Sequence, residues 1–208
     1  MGIGAVSRPA VFLDRDGVLV EEVLYPETGE WEGPLRPDDV RLNPGAAAAL
    51  RGIAACGFAT VLISNQGGHA KGKTTLRALW LAHQRFVDLL AAEGATLSGV
   101  FYSYGHPDGV VPHFSGPSLD RKPGPYNALI AAAQLDLDLS RSWMIGDRES
   151  DVLCAQAAGV RAILIENARN PVVRSDAGIR SPTLAEAVRH ICSDRVLVGR
   201  GHGLEGFE

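Results

Sequence analysis

The sequence predicts a doubly wound α/β fold built on a parallel sheet. Three observations carry this. Short, continuous apolar runs recur at residues 10–13, 58–63, 100–103, 143–145 and 162–165. Unbroken runs of this kind suit strands covered on both faces, as in a parallel sheet. Amphipathic or Ala-rich helical patterns separate them, and strand–helix alternation implies right-handed crossovers.

The elements follow in order. Residues 10–13 form the first strand. Asn43 and Pro44 read as an N-cap and first helical residue, opening an Ala-rich helix that stops at Gly57. The second strand is 58–63. Residues 75–93 place Leu76, Leu79, Trp80, His83, Phe86, Val87 and Leu90 on one helical stripe, closed by Gly94. His83 on that stripe reads as a core or interface residue. Strands at 100–103, 143–145 and 162–165 then alternate with helices at 125–135, 150–158 and 182–192. Two stretches break the rhythm. Residues 21–42 are acidic and contain Pro and Gly, and residues 105–125 are rich in Gly, Pro and His. Loops of that length inside a compact domain are often functional.

The chain has 208 residues, 46% hydrophobic and 21% charged, which suits one globular domain over 1–208 with 1–9 and 195–208 as mobile tails. The net charge of −4 and the lack of a basic run argue against a nucleic-acid partner. No run approaches the roughly 18 apolar residues of a membrane span, and the first residues show no leader-like apolar stretch. The three cysteines, Cys56, Cys154 and Cys192, form no CxxC pair. This predicts no disulfide, a reducing cytoplasmic setting and inert thiols. A monomer is the default.

The chemistry gathers at strand ends, where open α/β sheets bind ligands. The first strand runs into Asp14-Arg15-Asp16-Gly17, the second into Ser64-Asn65-Gln66, and the fourth into Gly146-Asp147 with Asp151 beyond; Arg121-Lys122-Pro123 lies in a loop between them. An Asp or Ser after a strand is often only a helix N-cap. Several carboxylates together need a compensating cation, and an oxygen-only donor set suits Mg²⁺. Lys122 and Ser64 can hold the phosphate oxygens that such a metal leaves free.

These motifs resemble those of the haloacid dehalogenase-like (HAD) phosphatases. The match runs through Asp14-Arg15-Asp16-Gly17-Val18, Ser64-Asn65, Lys122, and Gly146-Asp147-Arg148-Glu149-Ser150-Asp151, and covers about residues 10–170. Within that superfamily the chain looks similar to heptose 1,7-bisphosphate and histidinol-phosphate phosphatases, through Leu13-Asp14-Arg15-Asp16-Gly17, Ser64-Asn65-Gln66-Gly67 and Asp120-Arg121-Lys122-Pro123. The resemblance implies a Rossmann-like sheet with a minimal cap made of loops. It implies hydrolysis of a small phosphorylated sugar, with Asp14 as nucleophile and Asp16 as general acid/base. It implies Ser64 and Lys122 on the phosphoryl group, and Asn65, Arg121 and Arg148 toward substrate. Mg²⁺ falls to Asp14, Asp147 and the backbone carbonyl of Asp16, with Asp151 supporting from outside the ligand set. The heptose 1,7-bisphosphate would lose its C7 phosphate; histidinol phosphate or another sugar phosphate is the alternative.

Two features depart from that family. Its relatives often hold zinc in a CxH…CxC loop. The matching positions here are Ser103, Gly105, Ser118 and Asp120, so no structural zinc is expected and packing or hydrogen bonds must hold the loop. Residues 21–42 also look longer than in the relatives, with Tyr25, Trp31 and Arg36 as candidate substrate contacts. A rival reading comes from residues 67–74, Gly-Gly-His-Ala-Lys-Gly-Lys-Thr, which match the nucleotide phosphate-loop pattern. It gives no role to Asp14, Asp16 or Lys122. A non-enzymatic phosphate-binding protein is the remaining alternative, and the intact nucleophile and acid/base pair argue against it.

Overall fold

A computed structural model describes residues 7–169 and 178–201; of the expected tails at 1–9 and 195–208, residues 1–6 and 202–208 lie outside the described residues. The elements run β1 (Ala10–Leu13), β2 (Val23–Tyr25), β3 (Glu30–Glu32), α1 (Ala46–Ala55), β4 (Ala59–Asn65), α2 (Leu76–Ala92), β5 (Gly99–Ser103), α3 (Tyr126–Leu135), β6 (Trp143–Gly146), α4 (Glu149–Ala157), β7 (Arg161–Ile165), β8 (Ile179–Ser181) and α5 (Leu184–Gly201). A parallel sheet of six strands has the order β5-β4-β1-β6-β7-β8. The chain fills one side of β1, then crosses to fill the other. β1 therefore stands at the switch point, where such sheets open a crevice at the strand ends.

The buried strands alternate sides, as period two requires. Val11 and Leu13 pack with Leu50, Ile53, Phe86 and Ile191 in one cluster, while Ala10 and Phe12 pack with Ala128, Ala131 and Ala155 in another. Register then positions the chemistry. Leu13 pairs with Leu62 on one side and Ile145 on the other, so the residues that follow all three strands emerge at the same edge.

The structure corrects several expectations. Asn43 does not cap α1. Its Nδ2 instead donates to the carbonyls of Val18 and Val20 at 3.1 and 3.3 Å, and Gly45 takes the N-cap in a left-handed conformation. The stripe of α2 is narrower than expected. Leu79, Ala82, Phe86 and Leu90 are buried, whereas Trp80 is 55% exposed and Leu76 and Val87 also reach solvent. His83 is partly buried beside the Tyr102 hydroxyl, 3.1 Å away. Residues 7–9 are no free tail: the backbones of Arg8 and Leu137 form a bridge. α5 runs to Gly201, past the expected stop at 192.

The 21–42 stretch is not a plain loop. It holds the antiparallel β2–β3 hairpin and a short 3-10 helix at Pro37–Asp39. Cys56 and Cys192 form a disulfide, with Cα atoms 5.8 Å apart, against the expectation of free thiols. The end of α1 lies against α5, a contact that 136 residues of sequence separation conceal. The bond removes the argument from cysteine spacing to a reducing compartment. Cys154 stays a free, buried thiol, pushed up to about 11 by burial. No helix among the described residues is long and apolar enough to cross a membrane.

Candidate active site

Asp14 follows β1, and its amide donates to Ile145 O at 3.0 Å, which ties it to β6. Asp147 follows β6 and Asp151 lies in the first turn of α4. Among the described residues, these three buried carboxylates form one cluster, each offering an oxygen within 4.8 Å of the others. Gly17 makes this possible. Its φ is 84°, and a Cβ there would lie 2.4 Å from Asp147 Oδ2. Asn167, just past β7, donates to that same oxygen at 2.7 Å.

Lys122 is the buried counter-charge. Its Nζ lies 2.8 Å from Asp14 Oδ1, 2.6 Å from Asp151 Oδ1 and 2.9 Å from the Ile63 carbonyl. Burial alone would lower the lysine, but the charges of Asp14 and Asp151 outweigh it and hold the ammonium well above its usual range. Burial conversely raises Asp151, against the pull of Lys122. Asn65 fixes Lys122 by its main chain: Nδ2 donates to Lys122 O and Oδ1 accepts from Lys122 N, both at 3.0 Å. Its amide thus holds the Lys122 main chain in place.

Three carboxylates face one buried ammonium, with Arg148 Nε 3.9 Å from Asp147. That excess of negative charge, in an all-oxygen donor set, fits a hard divalent cation such as Mg²⁺. Asp151 already engages Lys122 through Oδ1 and the Arg148 amide through Oδ2, which suits a supporting role. The Asp16 carboxylate is not in the cluster. β1 ends at Leu13, and the chain turns at once, with Leu19 N and Val20 N both donating to Arg15 O. Asp16 lines the same cleft as Asp14 but sits in this turn rather than in the strand. Its carboxylate meets Arg15 and Gln66 instead.

Above this floor lies a cleft of about 580 Å³, lined by Asp14, Asp16, Asn65, Lys122 and, toward its rim, Lys71, His106, Arg121, Arg148 and Arg169. Ser64 is buried beneath it, its Oγ accepting from Gln66 Nε2 at 3.0 Å. Arg121 donates to Gly105 O at 3.1 Å, and Arg148 donates to the buried Glu22 at 2.7 Å. Burial lowers the pKa of Arg121, and the charge of Arg148 lowers it further. Of the three contacts expected from residues 21–42, only Trp31 lines the cleft, with the Arg169 guanidinium 3.9 Å over its ring. Tyr25 and Arg36 shape the hairpin's base instead, through Asp39.

Of the four positions corresponding to the zinc loop, Ser103, Gly105, Ser118 and Asp120, the last three converge. A Cβ on Gly105 would lie 3.1 Å from Ser118 Cβ, and Ser118 donates to Asp120. None carries a thiol or imidazole. Hydrogen bonds hold the loop: His106 N to Phe114 O at 3.0 Å, Gly116 N to His106 O at 3.1 Å, and Asn127 Nδ2 to Asp120 O at 3.0 Å.

The phosphate-loop lookalike is consumed structurally. A true loop of that type aims free backbone amides at a phosphate. Here Lys71 N, Gly72 N and Lys73 N donate to Gly67, His69 and Gly68 carbonyls. Lys73 pairs with Glu30 and Glu32, and Thr74 Oγ1 donates to Leu35 O at 2.8 Å, so both residues pin the hairpin beside the cleft. Lys73→Ala is expected to raise KM by up to about fivefold, the scale of one partly exposed ion pair, with kcat unchanged. Calorimetry should detect no tight Mg-ATP binding by either protein; tight binding lost in the variant would overturn this assignment.

A parallel sheet with an acidic, lysine-anchored cleft at the carboxyl ends of its strands defines a phosphoryl-handling hydrolase. A family model described as HAD-hydrolase-like matches residues 119–187. The chain belongs to the HAD-like phosphatases. It is 40% identical to a D-glycero-D-manno-heptose-1,7-bisphosphate 7-phosphatase of Thermosynechococcus vestitus, over 77% of this chain and 80% of that one. It is 36% identical to a D-glycero-beta-D-manno-heptose-1,7-bisphosphate 7-phosphatase of Rhodopseudomonas palustris, over 80% and 88%. Among solved structures, a HAD-like phosphatase from Mesorhizobium loti superposes with a TM-score of 0.77 at 25% identity, covering 95% of this chain and 90% of that one. A D,D-heptose 1,7-bisphosphate phosphatase from B. bronchiseptica, complexed with magnesium and phosphate, shares the fold with a TM-score of 0.75 at 22% identity, over 89% and 99%.

The strand-end motifs contain Arg15 and Gln66 without revealing that they hold Asp16, and neither Glu22 beneath Arg148 nor Asn167 beside Asp147 was expected. Asn167 had a usable signal: like Asp14, it comes just after an apolar strand.

Proposed function

We propose that this phosphatase removes the C7 phosphate of a heptose 1,7-bisphosphate through an aspartyl-phosphate on Asp14. The observation that carries this reading is a second cationic region in the same cleft. Lys122 lies on the floor with the carboxylates, while Arg121, Lys71 and Arg148 line the rim. A monophosphate needs one anion site; the rim offers charge for another. Histidinol phosphate has no second anion for this rim: beyond its one phosphate it carries an ammonium and an imidazole. The names of the relatives point to the same substrate class.

In this reading Asp14 attacks phosphorus, and the bond to the sugar oxygen breaks. Asp16 gives that oxygen a proton, then takes one from the water that opens the acyl phosphate. Lys122, 2.8 Å from Asp14, holds the phosphoryl oxygens in this reading as charge spreads over them. When bound, Mg²⁺ at Asp14, Asp147 and the Asp16 carbonyl supplies charge neutralisation to the same oxygens.

The test is phosphate release from both anomers of heptose 1,7-bisphosphate, histidinol phosphate and hexose monophosphates, ranked by kcat/KM. The heptose bisphosphate should rank first. Arg121→Ala should raise its KM about tenfold to a hundredfold, the scale of a charged hydrogen bond, and leave monophosphates nearly unaffected. Equal effects on both classes would remove the second anion site from the reading.

A further inference from the structure

The Asp16 carboxylate is held by groups that no part of the reading above employs. Arg15 Nε donates to Oδ1 at 2.7 Å, and Nη2 approaches Oδ2 at 3.3 Å. Gln66 Nε2 donates to Oδ2 at 2.7 Å and also to Ser64 Oγ at 3.0 Å. Gln66 Oε1 in turn accepts from Arg15 Nη2 at 2.7 Å. The amide has one allowed orientation. Turned over, its carbonyl would face a carboxylate and its NH₂ a guanidinium. Gln66 is itself fixed, its backbone N–H donating to Ser103 O at 2.6 Å. Arg15 is 2%, Gln66 5% and Asp16 8% exposed, so water competes little for these bonds.

A third wall closes the clamp. A Cβ on Gly33 would lie 2.2 Å from Asp16 Oδ2, so the hairpin's backbone rests on the carboxylate as only glycine permits. Gly33 lines the cleft with Asp16. The acid/base is therefore gripped from its own strand end, from the end of β4, and from the hairpin.

We propose that Gln66 is a positioning residue for proton transfer: with Arg15 it sets the direction of the Asp16 carboxylate and couples it to Ser64. This rests on the reading of Asp16 as the group that protonates the leaving oxygen. A rigidly held acid is worth most when that oxygen departs as a poor leaving group. A sugar alkoxide needs the proton as the P–O bond breaks, whereas p-nitrophenolate leaves well without it. A role in folding alone would depress both substrates alike.

The experiment measures kcat/KM, which reports steps up to phosphoryl transfer to Asp14, for a sugar phosphate and for p-nitrophenyl phosphate. Gln66→Met keeps the volume and removes the hydrogen bonds. It should lose about tenfold to a hundredfold on the sugar phosphate, the usual scale for a supporting hydrogen-bond partner, and less than about threefold on p-nitrophenyl phosphate. Gln66→Glu, which turns a carboxylate toward Asp16, should show the same selectivity and serves if the methionine variant folds poorly. Asp16→Asn is the control, with the same selectivity and a larger loss. If Asp16→Asn discriminates and the Gln66 variants lower both substrates equally, or neither, Gln66 is not a positioning residue. If Asp16→Asn fails to discriminate, the acid/base reading falls and takes this proposal with it.

Discussion

Asp14→Asn is expected to lower Mg²⁺-dependent phosphate release by about 10⁴-fold or more, the scale of losing a covalent nucleophile. The amide is nearly isosteric, so the fold should survive. It carries no charge, so it neither attacks phosphorus nor pairs with Lys122 Nζ, now 2.8 Å from Asp14 Oδ1. Lys122 keeps Asp151 as its partner at 2.6 Å, and the carboxylate cluster loses one repelling member. The thermal midpoint should therefore stay near that of the parent while turnover disappears. Phosphate release assayed beside a melting curve checks both halves. In the parent, rapid quench with radiolabelled substrate should trap phosphate on the protein, and in the variant it should not. Turnover above about a hundredth of the parent would show that the nucleophile lies elsewhere.

Much of the fold and of the carboxylate cluster was legible because apolar runs end abruptly. Leu13, Ile63 and Ile145 are followed within two residues by Asp14, Ser64 and Asp147, and the register of β1, β4 and β6 brings those ends together. What stayed hidden depends on side-chain direction or on long-range contact. β2, β3 and β8 are three residues each, too short to show a period. The Cys56–Cys192 bond depends on how α1 meets α5, which no local spacing reports. Asp16 lies in the turn after Leu13, where no strand period reports that its carboxylate meets Arg15 and Gln66. Residues 67–74 mislead most. Their letters satisfy a nucleotide motif, while their amides close a local turn and their lysine ties down the hairpin. A motif states which groups are present; only the fold decides where they point.

Lys122→Met should be the most destabilising single change at this site as well as an inactivating one. The methionine fills the same channel but leaves Asp14 and Asp151 without their shared ammonium and Ile63 O without a donor. Removing one partner from a buried charge network costs about 3–5 kcal/mol, because the remaining charges stay buried and uncompensated. For a chain of this size that corresponds to a fall in melting temperature of about 6–20 °C. Mg²⁺ gives the prediction its direction. A divalent cation among Asp14, Asp147 and Asp151 neutralises charge that Lys122 no longer offsets, so Mg²⁺ should raise the variant's melting temperature more than the parent's. Activity should not return with stability, since in the proposed mechanism Lys122 also holds the phosphoryl oxygens, a role the metal does not replace. Melting curves with chelator and with Mg²⁺, read beside turnover, separate the two effects. A variant as stable as the parent in chelator would mean that these carboxylates do not depend on Lys122 for their compensation.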